Sequence, residues 1–574
     1  MSLLRCGLPL LASLLLVACG GGGEGASVSS GAGSAGGGGG GTGGVGNVTI
    51  SGTVTYERVG FAPGTSTGLD LANALPAPVR GASVEALAPN GQTVLATATT
   101  SATGAYSVTV PRNTDLFIRV RAELLRTGTP AWTVTVRDNT AGAAVYTLDG
   151  SVFNAGTVDS TRNLAARTGW TAGSGYTGPR AAAPFSILDA VYEAQQLVLS
   201  ADANAVFPEL RLFWSPNNLP CSPGANDFCN GSSAALGRGE IGTSFFTPGT
   251  PDRIFVLGAA NIDTDEFDQH VIAHEWGHYY QDNFSRDDSL GGEHSTTERL
   301  DLRVAFSEGW SNAFAGMVRN DPVYRDSFDT NQARGFAIDV EANNNPNAGW
   351  FNEGSIQSIF WDLYDSTADG VDGVSLGFGP LHAVMTGRIR TTAAFTSVYP
   401  LLEGLRLARP ADTAAINALA GAQLIATHSD DFGDTETNAG LDARNLPIYR
   451  PVVGGQTVEV CSSVPTADGV YNKLGNRRFL QFTAPGSGTA TIRADFNGTQ
   501  GATATDPDLV LYAAGVERAR AESPANGSET LSAAVTAGTR YVLEVYEFSN
   551  LDPSAGPGGR ARGLSCFNVQ LTLP

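Results

Sequence analysis

The sequence predicts a multidomain chain in which a central α+β unit stands between two all-β sandwiches. Two observations carry this. Residues 48–125 and 451–574 alternate apolar and polar side chains in short runs separated by turn residues, the period of half-buried strands. Between them, from Pro184 onward, the period becomes helical, and two helical segments gather the residues able to do chemistry. A length of 574 residues holds several domains of ordinary size.

Taken in order, residues 1–18 read as a targeting segment, with Arg5 as its basic start and Leu8 to Val17 as its apolar stretch. Leu16-Val17-Ala18-Cys19 followed by glycine resembles a bacterial lipobox. That resemblance implies an exported lipoprotein, acylated on Cys19 and held by lipid at the outer membrane or cell surface, or released from it. Residues 19–47 are almost entirely Gly, Ser and Ala, a flexible tether with nothing to bury. The net charge of −21 excludes nucleic acid as a partner, because the chain would repel phosphates. Positive charge comes from arginine throughout, Lys473 being the single lysine.

Strands are expected at Val48–Val54, Ala82–Leu87, Ala105–Val110 and Leu116–Val120. The order SGTV, PVRGASVEAL, TTSATGAYSVTVP, LFIRVRAE is similar to the carboxypeptidase-regulatory-like β-sandwich over residues 48–125. Residues 126–180 form a β-rich connecting region with a further strand at Trp132–Val136.

The central unit, residues 181–450, opens with a helix from Pro184 to about Leu199 and a strand at Glu209–Trp214. Cys221 and Cys229 lie close together in a polar loop and suit a local disulfide in an oxidising compartment. Arg253–Gly258 reads as a strand that either forms the edge receiving an extended substrate or lies buried in the sheet. Then comes His274-Glu275-Trp276-Gly277-His278. On a helix the two histidines, four residues apart, face one way and can reach one metal ion, and the glutamate beside them can hold a water. Phe267, Val271, His274 and His278 form one stripe, and Asp263, Asp265 and Glu266 are expected in a first turn that the helix dipole favours.

A zinc ion that does chemistry takes three protein ligands and keeps a position open. Thirty residues downstream, Ser307-Glu308-Gly309-Trp310-Ser311-Asn312-Ala313-Phe314 sets one carboxylate among apolar and small residues, a costly place unless it is paired or coordinates a metal. HEWGH followed by SEGWSNAF resembles the gluzincin metallopeptidases, closest to the fungalysin-type branch. The resemblance implies a zincin-type fold with His274, His278 and Glu308 as zinc ligands and Glu275 as the base activating the zinc-bound water. Thermolysin-like relatives carry an aspartate where this chain has Asn312, whose amide oxygen can still accept the imidazole N–H. Such sites add a His or Tyr donor against the oxyanion. The chain offers His382, His294 and Tyr364, of which His382 follows the third ligand as the family's donor histidine does.

Aspartates gather in two further loops, Asp365/Asp369/Asp372 and Asp430/Asp431/Asp434, where hard oxygen ligands would suit Ca2+, although neither has EF-hand spacing. From Pro451 strands are expected at Arg478–Phe482, Thr489–Arg493, Asp508–Tyr512 and Tyr541–Tyr546. FLQFTAP, TATIRADF, DPDLVLYAAG, GTRYVLEVYEF resembles the prepeptidase C-terminal sandwich over residues 451–574. Cys461 and Cys566 bracket it as a second disulfide. The expected function is a zinc-dependent endopeptidase acting on extracytoplasmic protein or peptide substrates. The alternatives are a surface-binding or adhesin scaffold with a structural zinc site, and an aminopeptidase on the same fold, which an acidic cluster at one end of the cleft would mark.

Overall fold

The computed structural model describes residues 46–63, 67–220, 233–366, 370–464, 471–497, 505–524, 527–552 and 563–574. The targeting segment, residues 19–45 of the tether, Cys221, Cys229 and Asp369 fall outside them.

Discrete β-sheets flank a central helix-rich region. In the N-terminal part, Asn47–Arg58 pairs antiparallel with Ala105–Pro111 and with Leu75–Pro78, and parallel with two short strands at Ser160–Thr161 and Leu164–Ala166. Alternation decides which side is buried: Val48, Ile50, Val54 and Tyr56 face the core and their neighbours do not.

The boundary expected near residue 125 is not a break. Asp115–Arg126 turns back into Trp132–Asp138, and Leu210–Trp214 then pairs parallel with Trp132–Asp138. One sheet therefore runs from Val94–Thr99 and Ala82–Leu87 through these strands to Asp252–Val256 and Phe245–Thr247. The connecting region joins the N-terminal strands to the central unit by backbone hydrogen bonds.

Asp252–Val256 has partners on both sides, so the buried alternative holds for it, and Phe245–Thr247 is the strand at the sheet's end. The helix Ala183–Ala201 covers the sheet with Phe185, Leu188, Val191 and Val198. Three of the helices that follow bring residues to the cleft: Gln269–Phe284, Leu302–Arg319 and Glu353–Tyr364. The first begins at Gln269, so Asp263, Asp265 and Glu266 precede it and do not form its first turn. Glu266 pairs instead with Arg180 at 2.7 Å, and the two aspartates face the cleft.

The C-terminal domain is a two-sheet sandwich, one sheet of five strands and one of four, closed over Leu480, Ile492, Leu511, Leu543 and Phe567. Cys461 and Cys566 lie directly opposite each other on paired strands and form the expected disulfide. This sandwich packs on the central unit partly through buried ion pairs. Arg303 reaches Asp301 at 2.9 Å and Glu544 at 3.1 Å, and Arg477 pairs with the same Glu544. No described helix is long and apolar enough to cross a membrane.

Candidate metal centre

Two glycines set the site's geometry by letting helices approach. A Cβ on Gly277 would sit 3.0 Å from Ser311 Cα, and one on Gly309 would lie 2.5 Å from Ile356 Cβ. The second contact is closer than side chains tolerate and the first would push Ser311 back by a few tenths of an ångström, so glycine at both places lets Gln269–Phe284 cross Leu302–Arg319 closely, and the latter cross Glu353–Tyr364. Trp310 locks the first crossing by donating its indole N–H to the Gly277 carbonyl at 3.1 Å. Trp276 stacks on Phe314 at 5.5 Å on the buried side.

The opposite side carries the polar groups. His274 Nε2 and His278 Nε2 are 3.1 Å apart, and Glu308 Oε2 is 3.3 Å from each. Tetrahedral zinc with bonds of about 2.0–2.1 Å separates its ligand atoms by about 3.3 Å. Glu308 is 6% exposed, and its Oε2 is buried with no hydrogen bond. An unpaired carboxylate oxygen between two imidazole nitrogens fits a cation. These three residues form a His-x-x-x-His plus downstream Glu cluster that matches the gluzincin pattern.

The groups behind the ligands fix which ring nitrogen faces inward. His274 Nδ1–H donates to Asn312 Oδ1 at 2.9 Å, while Asn312 Nδ2 donates to Gln357 Oε1 at 3.0 Å. His278 Nδ1 lies 3.1 Å from Ser307 Oγ, whose hydroxyl donates to Asp287 at 3.2 Å. With both Nδ1 atoms engaged, both Nε2 atoms are presented to the centre. Burial works to lower the basicity of His278, and the Glu308 carboxylate overrides it, raising the ring to about 9. Burial works to raise Glu308, and His278 and His294 hold its carboxyl well below the usual range.

Glu275 stands beside the ligands in the same cleft, whose volume is about 1040 Å³. Its Oε2 accepts the Phe246 backbone N–H at 2.7 Å, so the end strand Phe245–Thr247 anchors it. Burial raises its pKa above the ordinary glutamate value, despite the opposing pull of His274 and His278. A basic oxygen held at one end by a backbone bond suits a group that takes a proton from water.

Of the three donors the sequence offers, His294 enters the cleft. Its Nε2 lies 3.2 Å from Glu308 Oε2 and its Nδ1 2.6 Å from Glu353 Oε2. His382 does not enter it. That ring receives the Tyr280 hydroxyl at 2.8 Å and packs among Tyr280 and Phe378, so position in the sequence after the third ligand was a poor guide. Tyr364 packs on Trp361 and does not line the cleft either. Neither aspartate loop assembles a ligand set among the described residues. Asp431 pairs with Arg388 at 2.6 Å, and Asp430 accepts backbone N–H groups of its own turn.

Sequence reasoning missed the partners Glu353, Ser307, Asp287 and Gln357, and also Tyr324, which stands edge-on to His274 at 5.9 Å. Ser307, adjacent to Glu308, was within the motif already singled out. The others have no local signal, because they come from elements distant in sequence from the two motifs: Glu353 and Gln357 from one helix, Tyr324 from a strand and Asp287 from a loop.

Residues 185–390 match the profile of the mycolysin C-terminal domain. The matched span contains all the cleft residues described above and covers a little over a third of the chain. The central unit has a gluzincin-like metallopeptidase fold. No curated protein matches the sequence. Among solved structures, the pre-peptidase C-terminal domain of a collagenase from Bacillus anthracis is similar at 9% identity, over 22% of this chain and 94% of that one, with a TM-score of 0.16. A 9R-lipoxygenase from Cyanothece PCC8801 aligns at 9% identity over 27% of this chain and 24% of its own, with a TM-score of 0.14.

Proposed function

We propose that the protein is a zinc-dependent endopeptidase, with His274, His278 and Glu308 holding the metal and Glu275 as general base. The observation that supports it most is one open cleft containing three ligand atoms at tetrahedral spacing and an anchored, basic carboxylate beside them. Zinc bound there would act as a Lewis acid toward the scissile carbonyl and toward water.

The chain's own residues then have distinct tasks. Glu275 takes the proton of the attacking water on the oxygen not held by Phe246, and returns it to the leaving amine. Burial works to lower the basicity of the His294 ring, and the Glu308 and Glu353 carboxylates raise it, Glu353 through a 2.6 Å contact with Nδ1. With Nδ1 tied to Glu353, its Nε2–H can donate to the oxyanion, a role worth about 3 kcal/mol in comparable sites. The end strand Phe245–Thr247 borders the cleft, where an extended peptide can add by backbone hydrogen bonds.

The test is metal analysis and casein cleavage on purified residues 47–574, with and without chelator. Glu275→Gln should keep one zinc per chain and lose activity at least a hundredfold. Casein cleavage by Glu275→Gln at the wild-type rate would end this reading, and zinc without proteolysis in wild type would favour a binding scaffold. The aminopeptidase alternative keeps one supporting observation, an acidic corner in the cleft. The proposal extends to a lipid on Cys19 at a bacterial surface, motivated by Leu16-Val17-Ala18-Cys19. Mass analysis of the mature N-terminal peptide tests it, and an unmodified start at another residue refutes it. We further infer that the C-terminal sandwich is of the prepeptidase type and the N-terminal strands of the carboxypeptidase-regulatory type, on the sequence patterns given above.

A further inference from the structure

One wall of the cleft carries chemistry that the proposed hydrolysis does not use. Strands Val323–Phe328 and Arg334–Asp339 pair so that Tyr324 lies opposite Ile338 and Asp326 opposite Phe336. Positions two apart on a strand share a face, and all four residues line the cleft. Tyr324 contacts His274 at one end, and at the other it stacks on Phe336 at 6.2 Å. The wall therefore leads from the metal ligands to Asp326 in about two residues of extended chain.

There Asp326 meets Asp263 and Asp265, one carboxylate oxygen from each lying within 4.8 Å of the others. Asp265 is 2% exposed. One of its oxygens accepts the Ser244 hydroxyl, and Oδ1 is buried with no partner. Asp263 and Asp326 also keep an unpartnered buried Oδ1, but both are only partly buried and open on the cleft. Asp268 lies behind them, fully buried, with its own Oδ1 unpartnered. Among the described residues no arginine or lysine pairs with any of the four. Buried carboxylates this close need a cation or must stay protonated. Burial and the neighbouring Asp263 push Asp326 up to about 8.

The rest of the cleft has the same sign. Six further carboxylates line it and no lysine or arginine does, among the described residues. At the rim Phe336 is 43% exposed, a large apolar face directly beside the carboxylates. An acidic floor under an aromatic rim matches a group with an apolar stem and a positive tip.

We propose that Asp263, Asp265 and Asp326, rimmed by Phe336, form a subsite for a cationic nitrogen group of the substrate peptide, the guanidinium or ammonium of a basic side chain or the α-ammonium. The proposal rests on the peptidase reading for its substrate class, and it makes the cleft selective for basic peptides.

The test measures binding, so it does not depend on turnover. Fluorescence anisotropy on the zinc-loaded Glu275→Gln chain would compare peptides of one sequence. An arginine, or citrulline in its place, moves through the peptide one position at a time, and each version carries a free or an acetylated N-terminus. The expected result is at least tenfold tighter binding of arginine over citrulline at one position, or of free over acetylated N-terminus. The two outcomes separate side chain from α-ammonium. In Asp326→Asn, and independently in Asp263→Asn, that ratio should fall below about threefold. Equal binding of all peptides, or a preference surviving in both variants, overturns the proposal. So does one Ca2+ per chain that persists through dialysis, is missing from Asp326→Asn and leaves peptide binding indifferent to charge, because the carboxylates are then metal ligands. Charge-selective binding without casein cleavage by wild type would count against the peptidase reading and leave the subsite standing.

Discussion

Asn312 is the residue at which this chain departs from its apparent relatives, and its environment allows the consequence to be worked out. Its amide is oriented by two bonds: Oδ1 accepts from His274 Nδ1 at 2.9 Å and Nδ2 donates to Gln357 Oε1 at 3.0 Å. All three residues are buried. Asn312→Ala leaves the His274 N–H and the Gln357 carbonyl oxygen without partners, at about 1–3 kcal/mol for each buried group. Most of the Gln357 cost falls on stability, whereas the His274 cost bears on the ring's orientation toward the metal. Loss of about 1.4–2.7 kcal/mol there corresponds to the ten- to hundredfold weakening typical of such outer partners. Asn312→Asp keeps an acceptor for His274 and adds charge, provided the Gln357 amide turns to present its NH2. We expect zinc binding at least as tight as wild type for Asn312→Asp and ten- to hundredfold weaker for Asn312→Ala. Competition titration against a chromophoric chelator at pH 7.5 measures both. Equal affinities for wild type and Asn312→Ala would refute the argument that this amide orients His274.

Three other outcomes follow from the structure. Glu308→Ala should lose zinc and activity together, since it removes the one carboxylate oxygen that faces both ligand histidines; retained stoichiometric zinc by atomic absorption would contradict it. Burial alone would raise the Glu544 carboxyl, but Arg303 and Arg477 hold it at about 2. Its stabilising effect is therefore complete above pH 4.5 and lost as pH falls toward 2, about 3 kcal/mol in all, visible as a lower denaturant midpoint that Glu544→Gln should flatten. Reduction of Cys461–Cys566, which closes a separation of 105 residues, should cost the C-terminal sandwich about 4–5 kcal/mol on the chain-entropy model, measured by denaturation with and without reductant.

The parts legible in the sequence were those written into a local period. The helix around HEWGH, the second motif and the alternating strands of both ends are each specified within about ten consecutive residues. His274, Glu275, His278 and Glu308 meet in the structure because two such segments cross. What could not be read was everything decided by a distant partner. His382 looked as eligible as His294 in sequence, and only the packing of Tyr280 and Phe378 against one and the approach of Glu353 to the other separates them. Asp263 and Asp265 fitted a helix start by composition, but the helix begins at Gln269, and their partner Asp326 arrives from a strand some sixty residues later. The sheet that continues through residue 125 was hidden for the same reason. A turn-rich stretch marks a domain boundary only if no later strand pairs across it, and Trp132–Asp138 pairs back onto Asp115–Arg126 while Leu210–Trp214 extends the same sheet.

That dependence on distant partners also bears on what the C-terminal sandwich is for. The loop carrying His294 is held from that domain: Asn472 Nδ2 donates to the Gly291 carbonyl at 2.8 Å and to Glu293 at 3.1 Å, and Lys473 Nζ donates to Glu293 O at 2.8 Å. Lys473 also pairs with Glu298 at 2.9 Å, and backbone bonds from Asp301 to Asn472 and from Leu474 to Arg299 extend the seam. A freely tethered accessory domain would not bury the chain's single lysine, 4% exposed, against the loop that carries His294. If this seam positions His294, then Lys473→Met and Asn472→Ala should lower kcat/KM by about tenfold, the worth of one or two buried bonds at about 1 kcal/mol each. Zinc content should stay at one per chain, because no ligand lies on the loop, and amide exchange should quicken over residues 289–296. Faster exchange with unchanged kcat/KM would make the seam structural only. Unchanged exchange in both variants would mean that the loop holds its shape without the sandwich.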